Sequence, residues 1–197
     1  MKFDLKDVNL DSLNSPQKRN TVFLAIAALA GVTAAGAGFV ANYIRSEPEK
    51  LSLPAANAAV KNLFTRTFND DSGKPIAMQN FAGKRVVLNF WAPWCAPCVE
   101  ELPEFSQVAN EMRAAQSRVA FVGLGIDNPT AIAKFAAEHP VSFPLLVAGV
   151  DGTAIAKSLG NTAGVLPYTV IIGADGAILQ QKVGRVDAAM LRSWLKI

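Results

Sequence analysis

A chain of 197 residues with 51 % hydrophobic content has enough apolar material for one compact core and a surplus beyond it. The formal net charge of +3 is dispersed, with four basic against three acidic side chains in residues 1–20, so no basic patch points to nucleic acid as a partner. Two cysteines and one histidine leave too few ligands for a four-coordinate zinc or iron–sulfur site.

The surplus lies near the amino terminus. Thr21 to Ile44 carries no charge, and as a helix it would reach about 36 Å, enough to cross a hydrocarbon layer of about 30 Å. Lys18 and Arg19 abut it on one side, whereas Arg45 and Lys50 on the other alternate with Glu47 and Glu49. That asymmetry predicts a cytoplasmic tail over residues 1–20, an anchor over 21–44, and the rest of the chain outside, in the periplasm of a bacterium. The inner membrane, crossed once, is the expected location. Small residues at Val32-Thr33-Ala34 and Ala35-Gly36-Ala37 leave an export signal as the alternative to a retained anchor. Residues 45–57, with Pro48 and Pro54 among alternating charges, read as a linker, and 58–197 as the folded domain.

Within that domain Asn62 to Phe68, a polar turn containing Gly73, and Pro75 to Met78 predict a hairpin. Val86 to Phe90 is short, apolar and rich in β-branched residues, the pattern of a buried strand. A helix is expected from Pro97 to about Ala115, with the proline in its first turn, where a missing N–H costs nothing. Val119 to Ile126 reads as a second buried strand, and Asp127-Asn128-Pro129 opens a helix through Ala137. Strand, helix, strand in this order predicts a parallel pair with a right-handed crossover. Val141 to Val147 reads as a loop entering a short strand, followed by a helix capped by Asp151, running through Leu159 and ended by Gly160. Tyr168 to Ile172 and Ala177 to Val183 flank the turn Gly173-Ala174-Asp175-Gly176 as an antiparallel hairpin. Asp187 starts a last helix, with Met190, Leu191, Trp194 and Leu195 at core spacing.

Both cysteines, Cys95 and Cys98, fall where the first buried strand passes into its helix, the end at which open α/β sheets place their sites. Unpaired N–H groups and about half a positive charge at a helix amino end favour a thiolate, so Cys95 is the expected nucleophile. Cys98, three residues on, shares its helical face and is placed to resolve a mixed disulfide formed at Cys95. A purely structural bridge over so short a loop would remove little chain entropy. A copper site made by two thiolates is a further alternative, and redox exchange is favoured over both. His139 stands alone and reads as a surface residue. Pro167 by itself marks only the first residue of a strand.

The run Trp91-Ala92-Pro93-Trp94-Cys95-Ala96-Pro97-Cys98 resembles the active site of thioredoxin-fold proteins, and Val99-Glu100-Glu101-Leu102-Pro103 is similar to the TlpA/ResA/CcmG-like branch of membrane-anchored thiol-disulfide oxidoreductases. The resemblance reaches from about Asn62 to the carboxyl terminus. It implies a thioredoxin-like α/β fold, a central mixed sheet flanked by helices, with an amino-terminal β-hairpin and a central insert, preceded by one transmembrane helix. It further implies reduction of disulfides in exported partner proteins, such as apocytochrome c or metal-site cysteines, with electrons from a membrane donor of the DsbD/CcdA type. No cofactor is implied beyond the redox-active Cys95–Cys98 disulfide. Trp94 and Pro97 would flank the sulfurs. Pro167 would be cis, with the backbone of Leu166 against the sulfurs and available to an incoming strand.

Glu101 matches the acid that tunes the thiols in that branch, and partial burial would let it exchange a proton with Cys98; Glu100 and Glu104 read as compensation of the helix dipole. Asn89 departs from thioredoxins, which carry a buried aspartate at this point. The same fold also serves disulfide oxidases and isomerases, and a copper-binding chaperone using Cys95 and Cys98 is a reading from another class. Ala-Pro between the cysteines, with no histidine to stabilise a thiolate, favours the reductase.

Overall fold

The computed structural model describes residues 53–196. The apolar stretch 21–44 and the expected tail lie outside the described residues, and among those described no helix is long and apolar enough to cross a membrane.

The chain enters through α1 (Leu53–Phe64), which takes up the end of the expected linker and the start of the expected first strand. Pro54 suits a first helical turn, and the alanines that follow favour helix over extended chain. Val60 and Leu63, three apart, are buried on one side of it. The hairpin therefore begins later, with β1 (Thr67–Asp70) paired antiparallel to β2 (Pro75–Ala77). Its turn is closed by Asp70, whose Oδ1 accepts from the backbone N–H groups of Ser72 and Lys74. Gly73, at φ +86°, supplies the left-handed residue such a turn requires.

β3 (Arg85–Trp91) leads through α2 (Ala96–Ala114) to β4 (Val119–Gly125), and the two strands pair in parallel, as the strand–helix–strand pattern predicts. α3 (Pro129–Glu138) connects β4 to β5 (Leu145–Val147), again in parallel. Asn128 caps α3 by accepting from the Ala131 N–H at 2.9 Å. α4 (Asp151–Ser158) follows, then β6 (Tyr168–Ile172), β7 (Ile178–Val183) and α5 (Ala188–Leu195). The mixed seven-stranded sheet runs β2-β1-β5-β4-β3-β6-β7, so β3, buried along nearly its whole length, is covered on both edges. Asp151 is the first residue of α4 and makes no capping hydrogen bond; it places a negative charge in the first turn instead.

Strand alternation sorts the core into two layers. Val87, Trp91 and Ile171 face α2, α3 and α5, where Leu102, Phe105, Ile132, Phe135, Leu191 and Leu195 pack with both cysteines. Val86, Leu88, Phe90, Tyr168 and Val170 face the other way, against α1 and α4. Of the residues expected at core spacing on α5, Leu191 and Leu195 are buried, and Met190 and Trp194 are half-buried at the edge.

α5 is fastened by its amino end. The Asp187 side chain accepts from the Met190 N–H at 2.7 Å, and Glu104 of α2 accepts from the Ala188 N–H at 2.7 Å while pairing with Arg185. Glu104 therefore does not serve the dipole of its own helix, whose first turn holds no acid; it bridges α2 to α5. Asp187→Ala is expected to cost about 1 kcal/mol, the usual worth of such a cap. The urea midpoint of the oxidised protein measures it, and an unchanged midpoint would mean that Glu104 alone holds this helix end.

Candidate active site

Cys95 ends the connection from β3 and is the N-cap of α2, with extended backbone at φ −92° and ψ 96°. Its carbonyl accepts from the N–H groups of Cys98 at 2.9 Å and Val99 at 3.1 Å, which closes the first turn around the pair. The two are joined as a disulfide with Cα atoms 5.2 Å apart, within the range such bonds span without moving the backbone. Cys95 retains 6 % exposure and Cys98 none, so the sulfur at the helix mouth is the one that a partner reaches first.

The two tryptophans divide the surroundings. Trp91 is fully buried below the pair and packs against Phe135, ring centroids 4.7 Å apart, whereas Trp94 is 68 % exposed beside Cys95. Pro97 lies in the first turn of α2 and is exposed. The Leu166–Pro167 peptide bond is cis, and Pro167 is buried where its segment enters β6, antiparallel to β3. The exposed Val165 and half-buried Leu166 precede it. Asn161 pins this loop: its side-chain amide donates to the Val165 carbonyl at 2.8 Å and accepts from the Val165 N–H at 3.3 Å. Tyr168 faces away from the cysteines, in the opposite core layer, where its hydroxyl donates to the Leu159 carbonyl at 2.7 Å. His139 is exposed at the end of α3 with its ring against Phe135.

Glu101 lies one turn beyond Cys98 on α2 and is completely buried. Oε1 accepts from Asn89 Nδ2 at 2.7 Å and Oε2 from the backbone N–H of Val186 at 2.8 Å. Loss of water pushes its carboxyl up from the ordinary 4.5 to about 7, with the two hydrogen bonds and the charge of Arg185 pulling the other way and Glu104 adding to the rise. Burial outweighs the donors, so the group is poised to hold or release a proton near neutrality. Asn89 Nδ2 also lies 3.2 Å from Thr169 Oγ1, its register partner across β3 and β6. Glu101, Asn89 and Thr169 thus form a buried polar island on the side of the sheet that carries the cysteines.

Chain order hides Thr169, Asn161 and Val186 as contributors to this region. A threonine in a strand, an asparagine in a loop and a backbone amide carry no signal of their own until the sheet and the β7–α5 connection bring them together. The alternation of Asn89 with Val87 and Trp91 on the face toward α2 is the one clue that a sequence holds.

A family model described as Redoxin matches residues 52–192. The thiol-disulfide oxidoreductase ResA of Bacillus thuringiensis subsp. konkukian is 28 % identical over 155 residues, covering 78 % of this chain and 82 % of its own. ResA of Bacillus cereus is 30 % identical over 128 residues, covering 64 % and 70 %. Among solved structures, a secreted Mycobacterium tuberculosis disulfide oxidoreductase homologous to E. coli DsbE superposes with a TM-score of 0.56 at 26 % identity, over 68 % of this chain and 97 % of that one. With its paired cysteines at the mouth of α2 and a thioredoxin-like sheet behind them, the chain belongs to the Redoxin family, as a TlpA/ResA-like thiol-disulfide oxidoreductase.

Proposed function

We propose that the protein reduces disulfides of exported partner proteins, of the kind found in apocytochrome c or metal-site maturation, and is itself re-reduced by a membrane donor of the DsbD/CcdA type. The observation that carries the reading is the fully buried Glu101 one helical turn from Cys98. A strong oxidant owes its potential to a stabilised reduced form, in which one sulfur is a thiolate. A carboxylate beneath the pair opposes a second negative charge, and no histidine stands between the cysteines to offset it. Both features disfavour the reduced form and make the dithiol the better donor of electrons.

The reaction runs in two exchanges. In the first, the Cys95 thiolate attacks one sulfur of the partner's disulfide, and the other partner sulfur leaves as a thiolate and takes a proton. In the second, Cys98 gives its proton to Glu101 and attacks Cys95 Sγ, expelling the remaining partner sulfur. Two electrons pass to the partner, and the chain ends with the Cys95–Cys98 bond. Leu166 and Pro167, with Trp94 and Pro97 on the other side, form the surface on which the partner strand lies. The uncharged stretch 21–44, with Lys18 and Arg19 before it, supports a single-pass anchor in a bacterial inner membrane and a periplasmic catalytic domain.

Equilibration of the Cys95–Cys98 couple with a dithiothreitol or glutathione buffer tests the direction. The expected potential lies nearer to that of thioredoxin, about −270 mV, than to that of DsbA, about −120 mV. A value at the DsbA end would make the protein an oxidase.

A further inference from the structure

The polar island, as arranged in the structure, suits the ionised form of Glu101. An ionised carboxylate accepts only, and here each oxygen meets one donor: Asn89 Nδ2 at Oε1 and the Val186 N–H at Oε2. A protonated carboxyl must instead place its O–H against an acceptor, and both neighbours present N–H. The Val186 N–H belongs to the backbone and cannot reverse. Asn89 can, because turning its amide over exchanges Nδ2 for Oδ1.

Asn89 Oδ1 is completely buried and has no hydrogen-bond partner. Such a group is costly to leave unmade, so its persistence calls for a role. We propose that Asn89, with Thr169, is a reversible amide adapter for Glu101: its side chain donates to the carboxylate when Glu101 is ionised and turns over to accept from the carboxyl when Glu101 is protonated.

Thr169 makes the exchange self-consistent. In the first state Asn89 Nδ2 donates to both Glu101 Oε1 and Thr169 Oγ1. In the second, Oδ1 occupies that place and accepts from Glu101 Oε1–H and from Thr169 Oγ1–H, since a hydroxyl serves as either partner. The neighbour of Asn89 on its other edge is Gly123 of β4, and the space over that glycine is filled by the Leu145 side chain and the Trp91 indole, whose buried Nε1–H has no hydrogen-bond partner. The charged groups bearing on Glu101 are Glu104 from its own helix and Arg185 from the β7–α5 connection, and Cys98 precedes it by one turn on α2. Asn89 is a positioning residue acting through Glu101: the atom it turns toward Glu101 and Thr169 matches each charge state, while the end without a partner is Oδ1 in the first state and Nδ2 in the second. The inference rests on the proton-transfer role proposed for Glu101, but it concerns only which atoms face each other, so a potential in the oxidase range would leave it standing.

The test uses solution NMR of the oxidised full chain in detergent micelles, with the coupling across the hydrogen bond from Asn89 Nδ2 to Glu101 Cδ as readout. The coupling is expected above the titration of Glu101 and lost below it. Persistence below, with Glu101 carrying a proton, would overturn the proposal, as would a Glu101 that never takes one up. Glu101→Gln is the second arm. There the Val186 N–H still requires an oxygen, which leaves the new amide N–H groups facing residue 89, so Asn89 is expected in its turned-over state at every pH. Asn89 side-chain resonances should then cease to move with pH and match those of the acid form of the unaltered protein. Resonances matching the alkaline form would show an amide that never turns.

Discussion

Replacement of Cys98 by serine is expected to arrest the protein as a covalent complex with its partner, joined through Cys95, and replacement of Cys95 is expected to yield no such complex. The asymmetry follows from position. Cys95 caps α2 and retains a small exposed area, while Cys98 is sealed within the core layer, so an incoming disulfide meets Cys95 first. Either change should lower turnover on the order of 10³-fold or more, since the exchange has no other thiol to use. Separation of membrane proteins on non-reducing gels, with and without dithiothreitol, measures it. The trapped complex should sediment with the membrane fraction if residues 21–44 anchor the chain. Complexes formed by Cys95→Ser and none by Cys98→Ser would show the roles exchanged.

The second large effect is on stability. Glu101 takes its proton near pH 7 when folded and near 4.5 when its carboxyl is free in water. Between those values the folded chain holds a proton that the unfolded chain has released, so stability falls as pH rises. The contribution is complete below pH 4.5 and is lost as pH passes about 7. At about 1.4 kcal/mol for each pH unit, Glu101 accounts for a decline of about 3 kcal/mol across the interval. Urea unfolding of the oxidised protein at both ends, compared with Glu101→Gln, isolates this part. Glutamine does not titrate, so the variant should lack the decline. Parallel curves for the two proteins would show that Glu101 is not the group responsible.

Most of the strand and helix order was legible because each segment carried its own period. β3 and β4 are continuous apolar runs because they are covered on both faces, and α2 begins beside Pro97 because a proline there forfeits no hydrogen bond. Asp187 was legible as a cap for the same local reason. The exceptions were local rules with two readings. Pro54 marks a linker or a first helical turn, and the burial of Val60 and Leu63 under the sheet, which a linear reading does not contain, selected the helix. Glu104 looked like dipole compensation until the β7–α5 connection supplied Arg185 and the start of α5 supplied the Ala188 N–H.

Two cysteines separated by two residues, with a strand before them and a helix after, determined the chemistry of this protein in the sequence itself. Thiolate stabilisation at a helix end depends only on neighbours within one turn. Position along the helix already set Cys95 at its mouth and Cys98 further in; how completely Glu101 is buried, and which donors its carboxyl meets, were decided by the tertiary structure alone. Burial and hydrogen bonding there depend on Asn89, Thr169 and Val186, up to 85 residues away along the chain from Glu101 and adjacent to it only once β3, β6 and the β7–α5 connection have packed against α2.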